Sequence, residues 1–273
     1  TGVAREVTVD TTKKTLVVHD GSTAGGTPLM KESGTTGDIT VNSLTVGKGS
    51  NSVGGNTAFG ISVFSGNSTG SSNTGIGYHA LENHTSGTNN TAVGTYAGDE
   101  ITTGLSNTAL GSGALSASTT ASYNTAVGVA ALHLNTSGVN NVAVGWNSYD
   151  ANTTGSNGVA VGNNALGSNT SGSNNVAVGE SALINCTTGS NTVAVGHNAL
   201  GSLTTGSSNT AVGHNALDNV TTANNNTAFG FQVLTQNGSG ISNTGVGKDC
   251  LGSNTTGNYN TGVGNHSLIA NTS

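Results

Sequence analysis

Few side chains in this 273-residue chain have the chemistry for a reaction, and those that do are scattered. Asp99 and Glu100 stand side by side. Carboxylate pairs serve glycoside hydrolysis when they face each other across a cleft, one protonating the leaving oxygen while the other attacks or activates water. Sequence neighbours do not meet that geometry, so this pair reads as a solvated loop rather than an active site. His197 and His214 lie 17 residues apart, and imidazoles brought together can hold a metal. Among carboxylates and cysteines only Glu180, a further 17 residues back, shares their phase, so an exposed stack is the favoured reading. Trp146 and Tyr78 fall in that same phase and could stack on sugar rings, whereas Tyr149 stands where comparable segments have leucine, which points it inward. Asn-x-Ser/Thr triplets such as Asn67-Ser68-Thr69 match the glycosylation pattern, but this Asn- and Thr-rich composition produces them by chance. No cofactor, no metal ligand set and no catalytic residue is expected.

The interval of 17 is what positions these groups. A glycine recurs at Gly60, Gly77, Gly94, Gly111, Gly128, Gly145, Gly162, Gly179, Gly196, Gly213, Gly230, Gly247 and Gly264, without insertion or deletion. Such a period marks a stacked repeat whose units cannot bury their apolar faces alone. With each coil numbered from Asn56, position 2 is Thr or Val, position 3 Ala or Gly, and position 4 Val, Ile, Leu or Phe. That is a strand, and alternation puts Thr57 and Phe59, or Val176 and Val178, on one face. The expectation is a β-branched core on that face. Ala58, Gly75 and Ala92 would then lie against another backbone, either a neighbouring chain or a facing wall. The glycine at position 5 calls for positive φ or a tight corner. Ala-Leu pairs at positions 8 and 9 (Ala80-Leu81, Ala165-Leu166, Ala199-Leu200) supply a second wall, and tracts ending in Thr153-Thr154-Gly155 or Thr187-Thr188-Gly189 carry turn chemistry.

Recurrent glycine and β-branched content exclude a helical repeat. The fold expected is all-β: a parallel β-solenoid, or β-roll, of thirteen coils over residues 51–273 with a small N-terminal β cap over residues 1–50. At about 4.8 Å per coil the rod would be on the order of 60 Å long. Its thin core favours a homotrimer that buries the Ala/Gly face. Asn opens eleven of the thirteen coils, so identical residues should stack into hydrogen-bond ladders. Cys186 and Cys250 fall four coils apart, roughly 19 Å, too far for a disulfide.

Charged residues make up 7% of the chain and aromatics 4%, which disfavours a conventional enzyme. Beyond residue 50 seven acids (Glu82, Asp99, Glu100, Asp150, Glu180, Asp218, Asp249) accompany one base, Lys248, so a nucleic-acid groove is not expected. No apolar run is long enough for a membrane-spanning helix, and the start lacks the apolar stretch of a signal peptide. Arg5, Lys13, Lys14, Lys31 and Lys48 cluster instead in the first 50 residues, where Val7-Thr8-Val9 and Thr15-Leu16-Val17-Val18 read as a hairpin, followed by a turn at His19-Asp20-Gly21. Asp38 to Gly47 reads as extended chain feeding the first coil.

The run Val7-Thr8-Val9-Asp10-Thr11-Thr12-Lys13-Lys14-Thr15-Leu16, continuing to His19-Asp20-Gly21-Ser22-Thr23, resembles the N-terminal module of bacteriophage tail-fibre and receptor-binding proteins related to the major tropism determinant. The stretch from Ile39 to Gly47, leading into Asn56-Thr57-Ala58-Phe59-Gly60, looks like the linker and repeat array of phage fibre shafts, and the array is also similar to the head repeats of trimeric autotransporter adhesins, from which its 17-residue coil departs. The resemblance implies a structural virion fibre, extracellular, whose partners are copies of itself, other virion or fibre proteins and a host surface glycan or protein receptor. Tyr78, Trp146, His197 and His214 are its candidate surface recognition residues. A bacterial trimeric surface adhesin or extracellular filament subunit is the second reading, and a polysaccharide depolymerase the third. The chain starts at Thr1, has its one methionine at Met30 and stops at Ser273, a residue short of a turn glycine, so a longer native chain is expected.

Overall fold

The computed structural model describes residues 6–10, 15–19, 27–28, 31–33, 38–41, 44–49 and 53–273. Strands β1 (Glu6–Asp10), β2 (Thr15–His19) and β3 (Thr27–Pro28) form an antiparallel sheet, with Val9 opposite Leu16. The hairpin read from the sequence is thus present, while its turn at residues 11–14 and the turn after His19 lie outside the described residues. A second sheet begins with β4 (Lys31–Ser33), β5 (Asp38–Val41) and β6 (Leu44–Gly47), antiparallel throughout. It continues through β7 (Thr57–Gly60), antiparallel to β6, into twelve further strands that end at β19 (Thr261–Val263). From β7 onward every pairing is parallel and offset by one coil: Thr57 lies beside Thr74, Ala58 beside Gly75 and Phe59 beside Ile76. This is the all-β solenoid of 17-residue coils that the period demands, each strand joined to the next by a turn rather than a helix.

The strand faces are reversed relative to the sequence reading. Ala58, Ala92, Ala126, Ala160 and Ala194 are buried inside the coil, whereas the β-branched residues of positions 2 and 4 look outward. Of the two alternatives for the Ala/Gly face, the facing wall is the one present. A methyl group placed on Gly75 would lie 2.5 Å from Cγ1 of Val63 and 3.3 Å from the ring of Phe64, residues 8 and 9 of the same wall. The roll is so narrow that Ala at position 3 and Ala-Leu at positions 8 and 9 fill it, leaving no room for valine on the inner side. The reason offered for a homotrimer therefore falls, because the face it would have buried is already covered by the chain itself.

Two polar columns complete the interior. The Asn at position 1 receives the backbone N–H and side-chain amide of its successor: Asn73 N donates to Asn56 Oδ1 at 2.8 Å, and Asn90 N to Asn73 Oδ1 at 2.8 Å. Its own amide donates to the carbonyl of position 15, as from Asn56 to Gly70 at 2.8 Å and from Asn141 to Gly155 at 2.9 Å. At position 12 a second buried Asn closes a local turn onto the same carbonyl, Asn152 Nδ2 donating to Gly155 O while its Oδ1 accepts from Gly155 N. Thr at position 13 then donates outward-facing bonds to the next coil, Thr153 Oγ1 to Thr170 O at 2.9 Å. Most buried polar atoms of these two columns are thus satisfied by uncharged partners, with Ser118 Oγ and Asn169 Oδ1 of position 12 as exceptions.

Three positions per coil adopt left-handed backbone in residues other than glycine. Leu at position 9 has φ of 51–54°, including Leu132, Leu166 and Leu200. This conformation is unusual for a bulky side chain. It turns the wall back over the strand while keeping the leucine inward, so burial of the side chain offsets the strain.

Candidate functional site

The corner of each coil is where side chains reach solvent in a controlled array. The position-5 glycines take φ from +116° at Gly247 to +152° at Gly60. A methyl on Gly128 would lie 2.4 Å from the carbonyl oxygen of Gly145 above it, so both the backbone angle and the tight stacking require glycine there. The next residue, position 6, emerges from this fixed corner and forms a column along the rod.

Four consecutive members of that column touch. The rings of His197 and His214 stack at 5.1 Å with planes 15° apart, His214 stacks on Phe231 at 5.4 Å and 14°, and Lys248 Nζ lies 5.8 Å from the Phe231 ring centre. The histidine spacing is the one the coil rise dictates. The ring faces are covered by one another, leaving edges and the Lys248 ammonium toward solvent. Asp218 lies near both imidazoles, whose charge counteracts the rise in its pKa caused by burial. Trp146 belongs to the same column and is half exposed.

Tyr78 sits at position 6 of the second coil, in another cluster. Its ring meets His79 at 3.9 Å and Tyr96 at 5.5 Å, both edge to face, while His79 and Tyr96 stack at 5.1 Å. His79 Nδ1 is paired with Glu82. Asn83 Nδ2 donates to Glu100 Oε1 at 2.9 Å. Burial raises the Asp99 carboxyl to about 6, and the charges of Glu100 and Glu82 add to the effect. A carboxyl in that range can donate a proton near neutral pH. Asp99 and Glu100 nevertheless occupy adjacent positions on one outer wall rather than opposite banks of a cleft. The structure does not bring Tyr78, Trp146, His197 and His214 into one site: they share a column but stand on coils two, six, nine and ten.

Position 12, which the sequence reading left within the polar tract, is a buried column of its own. His84 lies there, its Nδ1 2.9 Å from Ile101 O and its Nε2 3.1 Å from Asn73 Nδ2. Burial lowers its pKa, opposed by the nearby backbone carbonyls of Gly87 and Ile101. Nε2 also lies 2.9 Å from Gly87 O, so a backbone carbonyl faces each ring nitrogen. Cys186 occupies the same column, buried, free and with its thiol pKa raised by burial, and Cys250 packs at position 8, also free. The signal for this column was available, since Asn, Ser and Cys alternate there with Ile101, Leu203 and Val220.

Near the far end of the rod a hollow of about 280 Å³ is lined by Gln232, Thr235, Gln236, Asp249, Gly252, Ser253 and Ile269. Its one carboxylate, Asp249, is engaged by His266 at 3.1 Å and Lys248 at 3.6 Å. Among the described residues, no group of three or more His, Cys, Asp or Glu is placed to hold a metal ion, and no helix is long and apolar enough to cross a membrane.

Comparisons with known proteins bear on the N-terminal segment. No solved structure matches the chain. A stretch of 31 residues is 71% identical to the tail fiber receptor-binding protein of Bordetella phage BPP-1, covering 11% of this chain and 8% of that protein. Residues 1–23 match the family described as the major tropism determinant N-terminal domain, so the chain carries an N-terminal segment of that kind ahead of a β-solenoid of 17-residue coils.

Proposed function

We propose that this chain is the shaft of a phage tail fibre that supports attachment to the host cell. The observation that carries the reading is the match of residues 1–23 to the major tropism determinant N-terminal domain, beside a 31-residue match to a tail fiber receptor-binding protein, in a chain that continues into a long solenoid. Residues 1–50 would join the fibre to other virion proteins, and residues 51–273 would form the rod. Its mechanism is mechanical. Each coil is tied to the next by backbone pairing and by the Asn and Thr columns, so bending the rod strains many bonds at once. The shaft would be non-enzymatic and without cofactor, located in the virion outside the cell. Three copies in a homotrimer would present host contacts together and gain avidity for a surface glycan or protein receptor.

Antibody raised against the shaft and applied to purified virions tests the reading. Labelling of tail fibres, together with reduced phage adsorption when host cells are first exposed to the purified chain, is the expected outcome. Chain found on bacterial surfaces and absent from virions would instead establish the adhesin. Release of new sugar ends from host capsule would overturn the non-enzymatic part.

A further inference from the structure

We infer that the outward face of the strands from β7 to β19 is a contact surface between copies of this chain, lying parallel with equal coils level. The thirteen coils serve as an internal comparison, because each has met the same structural demand. At positions 2 and 4 only Thr, Val, Ile, Leu and Phe occur, with no charge, amide or glycine. Position 6 beside them is likewise at the surface, yet it ranges over Tyr78, Ser112, Trp146, Glu180, His197 and Lys248. All seven acids and the one base of the coils fall at positions 6 to 11. Solvent alone cannot account for this difference, since it would accept polar residues at position 4 as readily as at position 6.

Nor does the fold require apolar residues at position 4. The interior is already filled by Ala and Leu, and Phe59, Leu110 and Phe229 are 49%, 46% and 56% exposed. Three-residue strands about 10 Å long, stacked over roughly 58 Å, make a strip of about 600 Å². One such strip stands at the upper end of the largest apolar patches of ordinary monomers, about 300–600 Å², which are often functional. Two strips in contact bury about 1,200 Å², the lower end of a stable interface. A membrane is the poorer occupant, because the coils carry seven acids against one base and anionic headgroups would repel them. Another copy offers the same axial repeat over the same length, so ridges match at every coil. The parallel order rests on the fibre reading, in which all copies are joined through their N-terminal segments. The contact face itself does not.

The test is sedimentation of the full chain and of V161K/V195K, two position-4 changes at a surface where lysine fits the isolated coil. The native chain should sediment as an oligomer and the variant as a monomer, at least about a hundredfold weaker in self-association. Unchanged far-ultraviolet dichroism would show that it still folds, and S168K, on the opposite wall, should remain oligomeric. V93C treated with a short bifunctional maleimide should give covalently linked copies, because coil three meets coil three, whereas the native chain, with Cys186 and Cys250 buried, should not. A monomeric native chain, an oligomer indifferent to V161K/V195K, or V93C that fails to link would each overturn the proposal. Virion labelling decides the fibre reading separately.

Discussion

Tyr149 and Gly158 are two departures from the repeat that the structure joins into one. Tyr149 occupies the core leucine position, and its hydroxyl donates to Gly172 O at 3.1 Å. In other coils the position-1 Asn serves that carbonyl, as Asn175 does Gly189 at 2.7 Å and Asn226 does Gly240 at 2.9 Å. Gly158 stands in the place of that Asn, and a methyl added to it would lie 2.4 Å from the Tyr149 ring. The tyrosine thus takes both the space and the hydrogen bond of the missing amide. Y149L alone leaves the Gly172 carbonyl unpaired, about 1–3 kcal/mol, and loses about 1 kcal/mol of packing. G158N alone drives a side chain into the ring, about 1–3 kcal/mol. The double variant restores the usual Leu and Asn and should fall within about 1 kcal/mol of the native chain, a coupling of at least about 2 kcal/mol. Urea unfolding, with hydrogen exchange at the Val159, Ala160 and Val161 amides to catch local opening, measures it. Additive costs in the double variant would refute the compensation.

At the corner, G128A should cost about 3 kcal/mol or more, because it combines φ of +137° with a contact at 2.4 Å; G238A, whose nearest neighbour is 3.6 Å away, should fall within about 0.5 kcal/mol in the same melt. His84 has a folded pKa below 6.5, so its stabilising neutral form is fully present above pH 6.5 and is lost as pH falls toward the folded value. H84N should remove that loss in melting temperatures taken across the range. Asp99 has the opposite sign: with its carboxyl raised to about 6, its contribution falls as pH rises from about 4 through 6, and D99N should melt higher than the native chain at pH 7.5.

The period, the strand, the corner glycine and the Ala-Leu wall were all legible in the sequence, because each is a local pattern repeated often enough to separate signal from chance. The direction of the strand was not. Alternation says that Ala58 and Phe59 point opposite ways, but which way is inward depends on the width of the roll, a tertiary quantity. Hydrophobicity argued for the β-branched face and proved the wrong guide, since narrowness admits only methyl groups. The histidine stack could be read because coil spacing alone fixes it. Phe231, 17 residues beyond His214, extends the stack by the same spacing, although a search for metal ligands passes over a phenyl ring. The left-handed leucines also escaped notice, because leucine carries no sequence mark of positive φ.

The same narrowness explains how the interior changes along the rod. Every inner side chain has its counterpart from the adjacent coils above and below, so a change of volume cannot be absorbed sideways and must be balanced nearby. Gly98 replaces leucine at position 9, and a methyl there would lie 2.8 Å from Cδ1 of Ile101, the residue that replaces Asn at position 12 of the same coil. The isoleucine has moved into the vacated space, as the ring of Tyr149 has moved into that of the missing Asn at 158. In both cases the neighbouring coils keep their own columns: Asn107 N still donates to Asn90 Oδ1 at 2.9 Å across the Gly98 coil, and Gly158 N to Asn141 Oδ1 at 2.8 Å. Disruption is thus confined to about one coil, the nearest-neighbour behaviour of stacked repeats. It follows that I101N, which empties the space without restoring the leucine, should open the third coil to hydrogen exchange while leaving the amides of Val159 to Val161 protected. Loss of protection along the whole rod would show that the coils do not fail independently.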